Sequence, residues 1–168
     1  QRTKIVRGGS SAGKTIAILC ILIDYAIRHE NKEISIVSES IPHLRRGALR
    51  DFLKIMKGLR RYEEKQFNRS TLKYEFVSGS YIEFFSTDQP DKLRGARRTD
   101  LYINECNNVP FSSYQELAIR TSESVWLDYN PTSLFWVDKE LIGQSDTDFI
   151  TLTYKDNESL PESIVKEL

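Results

Sequence analysis

The chain has 168 residues, 39% hydrophobic and 29% charged, which is enough for one full hydrophobic core and short for two. Its longest apolar run, Ile16 to Ile23, falls far short of the roughly 20 residues that span a bilayer, and no signal-peptide layout is present, so the expectation is a soluble, intracellular protein. The net charge of zero hides an asymmetry: residues 1 to 100 carry 20 Lys+Arg against 12 Asp+Glu, and residues 101 to 168 carry 4 against 12.

Taken in chain order, Lys4 to Val6 reads as a short strand and Lys14 to His29 as a helix. That helix is apolar nearly all round at its start, which predicts a centrally buried element. Glu33 to Ser38 is a second strand and Pro42 to Leu59 a second long helix, so the alternation predicts βαβ units and a parallel sheet. From His43 to Arg69 nine Lys/Arg face three acids, a stretch that can attract a polyanion, contact a neighbour's acidic half or simply form a solvated helix face. Thr71 to Val77 and Ser80 to Ser86 alternate in polarity and are joined by Ser78 and Gly79, a pattern for a hairpin inserted in or beside the sheet. A polar, Arg-rich loop from Thr87 to Thr99 leads into a strand that turns polar at Asn104 and Glu105. Beyond it the pattern predicts a helix near Ser112 to Thr121, a strand from Ser124 to Tyr129, a helix near Leu134 to Ile142, a strand from Asp148 to Tyr154 and a last helix from about Pro161. Cys20 and Cys106 form neither a disulfide framework nor a metal cluster and read as packed thiols.

The strongest local signal is "GGSSAGKT", Gly8, Gly9, Ser10, Ser11, Ala12, Gly13, Lys14 and Thr15, which fits G-x-x-x-x-G-K-[ST] directly after a strand and at the opening of a helix. Glycines let the backbone curl until successive N–H groups face phosphate oxygens, and the helix N-terminus adds its partial positive charge. Lys14 is expected on the β- and γ-phosphates of ATP and the Thr15 hydroxyl on Mg2+.

A phosphate loop alone does not distinguish binding from hydrolysis, and a second acidic strand narrows the choice. "LYINE" ends on Asn104 and Glu105, the layout of a Walker B strand, with Glu105 available as the general base that polarises water. Asn104 stands where such enzymes usually carry an Asp, so its carbonyl oxygen can reach Mg2+ only through a bound water and brings no charge. A helix N-cap by Asn104 or Asn107 beside a salt-bridged Glu is the plain alternative. Asn130 in "LDYNPT" is placed to sense the γ-phosphate, although Asn-Pro is equally an ordinary turn initiator. Among Arg94, Arg97 and Arg98, Arg94 precedes the hinge-like Gly95 and is the favoured arginine finger, with a surface loop or DNA contact as the alternative.

Together "GGSSAGKT", the "LRG" of Leu93 to Gly95, "LYINE", "WLDYNP" and the late "TYKDN" of Thr153 to Asn157 resemble the ATPase domain of tailed-phage terminase large subunits. The resemblance implies a three-layer αβα P-loop NTPase with a RecA-like, additional-strand, mostly parallel sheet. It implies that ATP hydrolysis drives double-stranded DNA into a procapsid, with the portal protein and a small terminase subunit as partners, a homo-oligomeric ring, and a location in the host cytoplasm at the portal. On this reading residues 1–154 are the motor domain and 155–168 lead toward a nuclease domain. Glu105 and Lys14 are then catalytic, Arg94 acts in trans, and an isolated domain can be monomeric with little turnover. Ser10 replaces an Arg that many members carry, which leaves Arg7 as a doubtful substitute. Two competing readings are a small-molecule kinase, which would need an acceptor site, and a nucleotide switch without turnover.

Overall fold

The computed structural model describes residues 2–9, 13–131 and 135–151. Eight strands form one sheet: β1 (Thr3–Arg7), β2 (Glu33–Ser38), β3 (Phe67–Asn68), β4 (Lys73–Glu75), β5 (Tyr81–Ser86), β6 (Arg98–Ile103), β7 (Thr121–Tyr129) and β8 (Thr147–Thr151). Their order is β3-β4-β5-β2-β6-β7-β1-β8. All neighbours from β5 to β8 are parallel, and only the β3-β4 and β4-β5 pairs are antiparallel. Strand β7 therefore separates the strand before the phosphate loop from the acidic strand β6, which is the additional-strand arrangement.

Side chains alternate across a strand, so each strand feeds two cores. Val6, Ile34, Ile36, Ile82, Phe84, Tyr102 and Trp126 pack on one face with α1 (Lys14–Arg28) and α3 (Ala48–Gly58). Ile5, Val37, Phe85, Leu101, Ile103, Val125 and Leu127 pack on the other with Leu117 of α5 (Phe111–Ile119) and Val137. Both faces are covered, which is why these strands are continuously apolar rather than alternating. The same alternation places Asn104 and Asp128 on the α1 face, two residues beyond Tyr102 and Trp126.

Several elements differ from expectation. The predicted helix over Pro42 to Leu59 is two helices, α2 (Ile41–Arg46) and α3, broken at Gly47 (φ −113°, ψ −104°). A Cβ at Gly47 would crowd the His43 carbonyl oxygen at 3.1 Å and lie in ordinary contact with Asn104 Oδ1 at 3.6 Å, so the break lies beside the end of β6. Helix α1 is not buried all round: Ile21 is 49% exposed because the helix lies in an outer layer of the sandwich. The hairpin forms, but its second strand, β5, is itself a parallel member of the main sheet, and the first is only Lys73–Glu75. The Arg-rich loop contains a short helix, α4 (Pro90–Gly95), and yields β6 earlier than expected, at Arg98. Val137–Leu141 forms a π-helical turn in the region predicted as a helix. The end of the predicted last strand, the "TYKDN" segment and the helix from Pro161 lie outside the described residues. Cys106 is buried and Cys20 half-buried against the α1-face core. No helix among the described residues is long and apolar enough to cross a membrane.

The basic stretch has mixed fates. Arg69 is paired with Glu64 at 2.7 Å and Lys57 lies over Tyr62, whereas Arg45, Arg50 and Arg69 line an open groove of about 460 Å3 floored by Leu49, Leu53, Phe67 and Leu72.

Arg98 is structural rather than a finger. It is 3% exposed, stacks over Phe85, and donates to Ser35 Oγ (2.9 Å) and to the Leu117 and Ala96 carbonyls (3.0 and 3.3 Å), tying β6 to β2 and α5. Arg98→Met should therefore lower stability by roughly 2 kcal/mol or more, while Arg94→Met, on an exposed helix end, should change it by less than about 0.5 kcal/mol. Denaturant unfolding checks this, and equal effects would contradict the assignment.

Candidate active site

Strand β1 delivers Gly8 and Gly9 to the C-terminal edge of the sheet, where the Gly8 N–H donates to the Tyr129 carbonyl at 3.3 Å. Ser10, Ser11 and Ala12 lie outside the described residues. Gly13 has φ 73°, a left-handed conformation that favours glycine, and α1 starts on the next residue with no side-chain cap. Uncapped N–H groups at a helix start are available to an anion. Lys14 is 6% exposed, unusual burial for an ammonium, and its Nζ donates to Asn130 Oδ1 at 2.7 Å. Phosphate-loop lysine and the "NP" asparagine, far apart in sequence, thus meet directly.

Parallel registers set the next layer. Val37 pairs with Ile103 and Ile103 with Leu127, so Ser38, Asn104 and Asp128 stand in a row one residue further on, on the α1 face. Asp128 has no exposed surface. Its Oδ1 accepts the Glu105 N–H at 2.6 Å and Asn104 Nδ2 at 3.2 Å, and its Oδ2 accepts the Thr15 hydroxyl at 3.4 Å. A carboxylate only accepts, so the nitrogen end of the Asn104 amide must face it, and that nitrogen also reaches Thr15 Oγ1 and the Tyr102 hydroxyl, each at 3.2 Å. The amide thus turns its donor end, not its carbonyl oxygen, to Thr15 and Asp128. Burial pushes the Asp128 carboxyl up from the usual carboxylate range, and the Lys14 ammonium, the Glu105 N–H and the Asn104 and Tyr102 side chains pull it back. Burial, followed by the Asp128 charge, pushes the Tyr102 hydroxyl well up.

Glu105 ends β6 in a left-handed conformation, φ 51° and ψ 57°, which costs a side-chain-bearing residue of order 1 kcal/mol and is held by the bond to Asp128. The turn carries its carboxylate away from Asp128 to His43 Nε2 of α2, at 2.5 Å, with His43 Nδ1 3.7 Å from Glu39. Glu105 is partly exposed.

The sheet edge therefore gathers Gly8, Gly9, Gly13, Lys14, Thr15, Asn104, Glu105 and Asn130. Arg94 and Arg97 are exposed and make no hydrogen bond or ion pair among the described residues. Arg7 points to the opposite face, over the Phe149 ring at 5.2 Å, and so does not replace an arginine in the loop. The sequence reading missed Asp128 and His43. Asp128 had a signal, a carboxylate embedded in "VWLDY" and in phase with Trp126, whereas His43 had none.

This site can take a divalent cation. Thr15 Oγ1 gives its proton toward Asp128 and accepts one hydrogen bond from Asn104, which leaves one lone pair for a metal. Ser38 Oγ, in the same row, is buried and makes no hydrogen bond within the described residues. The three or more His, Cys, Asp or Glu of an all-protein metal cage are absent from the described residues, as suits a cation held largely by phosphate oxygens and water.

Because burial raises the Asp128 pKa, folding favours its protonated form. That contribution is fully present below the unfolded pKa and is lost as pH rises through the folded one. Asp128→Asn removes it, so in the nucleotide-free chain the stability difference should shift in favour of the variant between about pH 4 and about pH 7. Denaturant midpoints at both pH values test this, and an unchanged difference contradicts it.

The phage terminase large subunit family matches over residues 1–168. No curated protein matches the chain. Among solved structures, the large terminase of a thermophilic bacteriophage aligns with a TM-score of 0.82 at 20% identity, covering 99% of this chain and 44% of that one. The same phage protein in complex with ADP gives 0.79 at 20% identity, again covering 99% and 44%. The ATPase domain of the Thermus phage P74-26 large terminase gives 0.64 at 15% identity, covering 98% and 85%. At such identities these structures speak for the fold, a mostly parallel RecA-like P-loop sheet, and the chain spans less than half the length of the thermophilic bacteriophage protein. With the family match running from the first residue to the last, the chain belongs to the phage terminase large subunit family.

Proposed function

We propose that this chain is the ATPase motor domain of its terminase, hydrolysing ATP with Mg2+ to move double-stranded DNA through a portal into a procapsid. The observation that carries the reading is the convergence of Lys14, Thr15, Glu105 and Asn130 at one edge of the sheet, drawn from three segments remote in sequence. A relative in this fold has been crystallised with ADP and another crystal of it with ATP-gamma-S, which supports nucleotide as the ligand.

In this account the backbone from Gly8 to Gly13 cradles the phosphates, and Lys14 leaves Asn130 for the β- and γ-phosphates. Asn130, released, reports on the γ-phosphate to the residues after β7. Thr15 holds Mg2+, which neutralises charge on the phosphates when bound. Glu105 takes a proton from the attacking water through the carboxylate oxygen that His43 does not hold. Arg94, exposed and without a partner among the described residues, suits insertion into a neighbouring subunit of a ring. The groove lined by Arg45 and Arg50, with Arg69 held by Glu64 at its side, suits DNA phosphates. Membership of the family supports the portal and a small terminase subunit as partners and a location at the procapsid.

A partly exposed carboxylate at the end of an acidic strand favours water over a bound alcohol as the nucleophile, which separates this reading from a kinase. Phosphate release with and without double-stranded DNA is the test. Glu105→Gln should reduce turnover by about 10²-fold or more while leaving nucleotide affinity within a few-fold. Equal turnover in parent and variant would remove Glu105 from the chemistry, a need for an alcohol acceptor would favour a kinase, and no turnover under any condition would favour a switch.

A further inference from the structure

We propose that Asp128, on β7, supplies the negative charge and the proton acceptor that Asn104 cannot, so that the carboxylate serving the Thr15–Mg2+ pair has moved one strand across the sheet. The inference rests on reading the site as one for ATP and Mg2+.

Four polar side chains, Tyr102, Asn104, Glu105 and Asp128, adjoin the Thr15 hydroxyl or its immediate neighbours, and the uncharged Tyr102 hydroxyl supplies no negative charge. Asn104 turns its amide nitrogen to Thr15 at 3.2 Å, so it donates where an acceptor is needed. Glu105 turns its carboxylate away to His43 at 2.5 Å. Asp128 remains, with Oδ2 3.4 Å from Thr15 Oγ1. A threonine hydroxyl that binds a cation through a lone pair must direct its hydrogen elsewhere, and Asp128 Oδ2 is a charged acceptor within reach. Strand order explains why β7 can do this: it lies between β1 and β6, with Asp128 level with Val6. A carboxylate on β7 is adjacent both to the start of α1 and to the end of β6.

Charge balance points the same way. Asp128 has no exposed surface, and the Lys14 ammonium, held nearby on Asn130, favours its charged form. When nucleotide binds, Lys14 turns to the phosphates and Asp128 loses part of that compensation. A cation held by the Thr15 hydroxyl would supply positive charge beside Asp128 in its place. Asp128 is thus a positioning residue: it acts through Thr15, and through the Glu105 N–H it also fixes the turn that aims the base. Ion and base are set by the two oxygens of one side chain.

The test is the ratio of ATP-gamma-S affinities measured by calorimetry with and without Mg2+. The parent should bind more tightly with Mg2+. Asp128→Asn should shrink that ratio by about 10- to 100-fold, the usual loss when a group that orients a metal ligand is removed. Asn104→Asp combined with Asp128→Asn, which returns the charge to β6, should recover most of it. A residue needed only for folding would lower the melting temperature and leave the ratio intact, and that result overturns the proposal. So does a folded double variant with no recovery. If Asp128→Asn does not fold, the unmodified chain decides: with aspartate carboxyl carbons labelled, Mn2+ plus ATP-gamma-S should broaden one aspartate resonance that Mn2+ alone leaves sharp. No broadened aspartate overturns the proposal. A parent that binds no ATP-gamma-S under either condition defeats the nucleotide reading itself, a different failure from binding whose Mg2+ dependence survives Asp128→Asn.

Discussion

A carboxylate with no exposed surface would neutralise or destabilise the fold unless donors and a cation met it, and the elements around Asp128 are arranged to do so. Strand β6 contributes the Glu105 N–H, the Asn104 amide and the Tyr102 hydroxyl; α1 contributes Thr15 and the Lys14 charge. The left-handed turn at Glu105 follows from this, since the 2.6 Å bond to Asp128 fixes where its backbone nitrogen must lie. Its carboxylate then projects past the sheet edge to His43 of α2, and the break at Gly47 between α2 and α3 lies beside Asn104. One buried charge thus ties the phosphate loop, the acidic strand and the helix pair together.

This arrangement makes the site responsive to ligand. Lys14 has two competing partners of opposite chemical meaning, the Asn130 carbonyl oxygen within the chain and the phosphates of a nucleotide. Exchanging one for the other frees Asn130 and alters the charge beside Asp128 in a single movement. Asn130 follows β7 directly, so the exchange is felt at the exit of the strand that carries Asp128. On the proposed reading, this would link phosphate occupancy to β7 without a long path.

The parallel sheet and the phosphate loop were legible because their signals are local: apolar runs of strand length, a helix period, glycines at fixed spacing before Lys14 and Thr15. The break at Gly47 was not, since Leu44, Ala48, Leu49, Phe52 and Met56 continue one buried face across it and a single glycine is a weak stop signal. Arg94, Arg97 and Arg98 looked alike in a polar segment. Only contacts to Ser35 and Leu117, from distant segments, make Arg98 part of the core. Asp128 was passed over for Asn130 because the sequence showed the "NP" turn but not which strand lies beside β1. Substituting an amide at Asn104 looked like a weakened metal grip when judged within β6 alone. Across the sheet, Asn104 is bonded to a carboxylate, Asp128, on the neighbouring strand. Such non-local pairing is what a one-dimensional reading cannot supply.

The mechanism stands on Lys14 exchanging partners while Asp128 stays with Thr15. A crystal structure of the chain with ATP-gamma-S and Mg2+ tests this most directly. The expected result is Lys14 Nζ on phosphate oxygen and no longer on Asn130, the Thr15 hydroxyl between the metal and Asp128 Oδ2, and Asp128 still bound to the Glu105 N–H. A metal whose waters contact Asn104 or Glu105 while Asp128 is turned away, or Lys14 still on Asn130 with nucleotide bound, would contradict it.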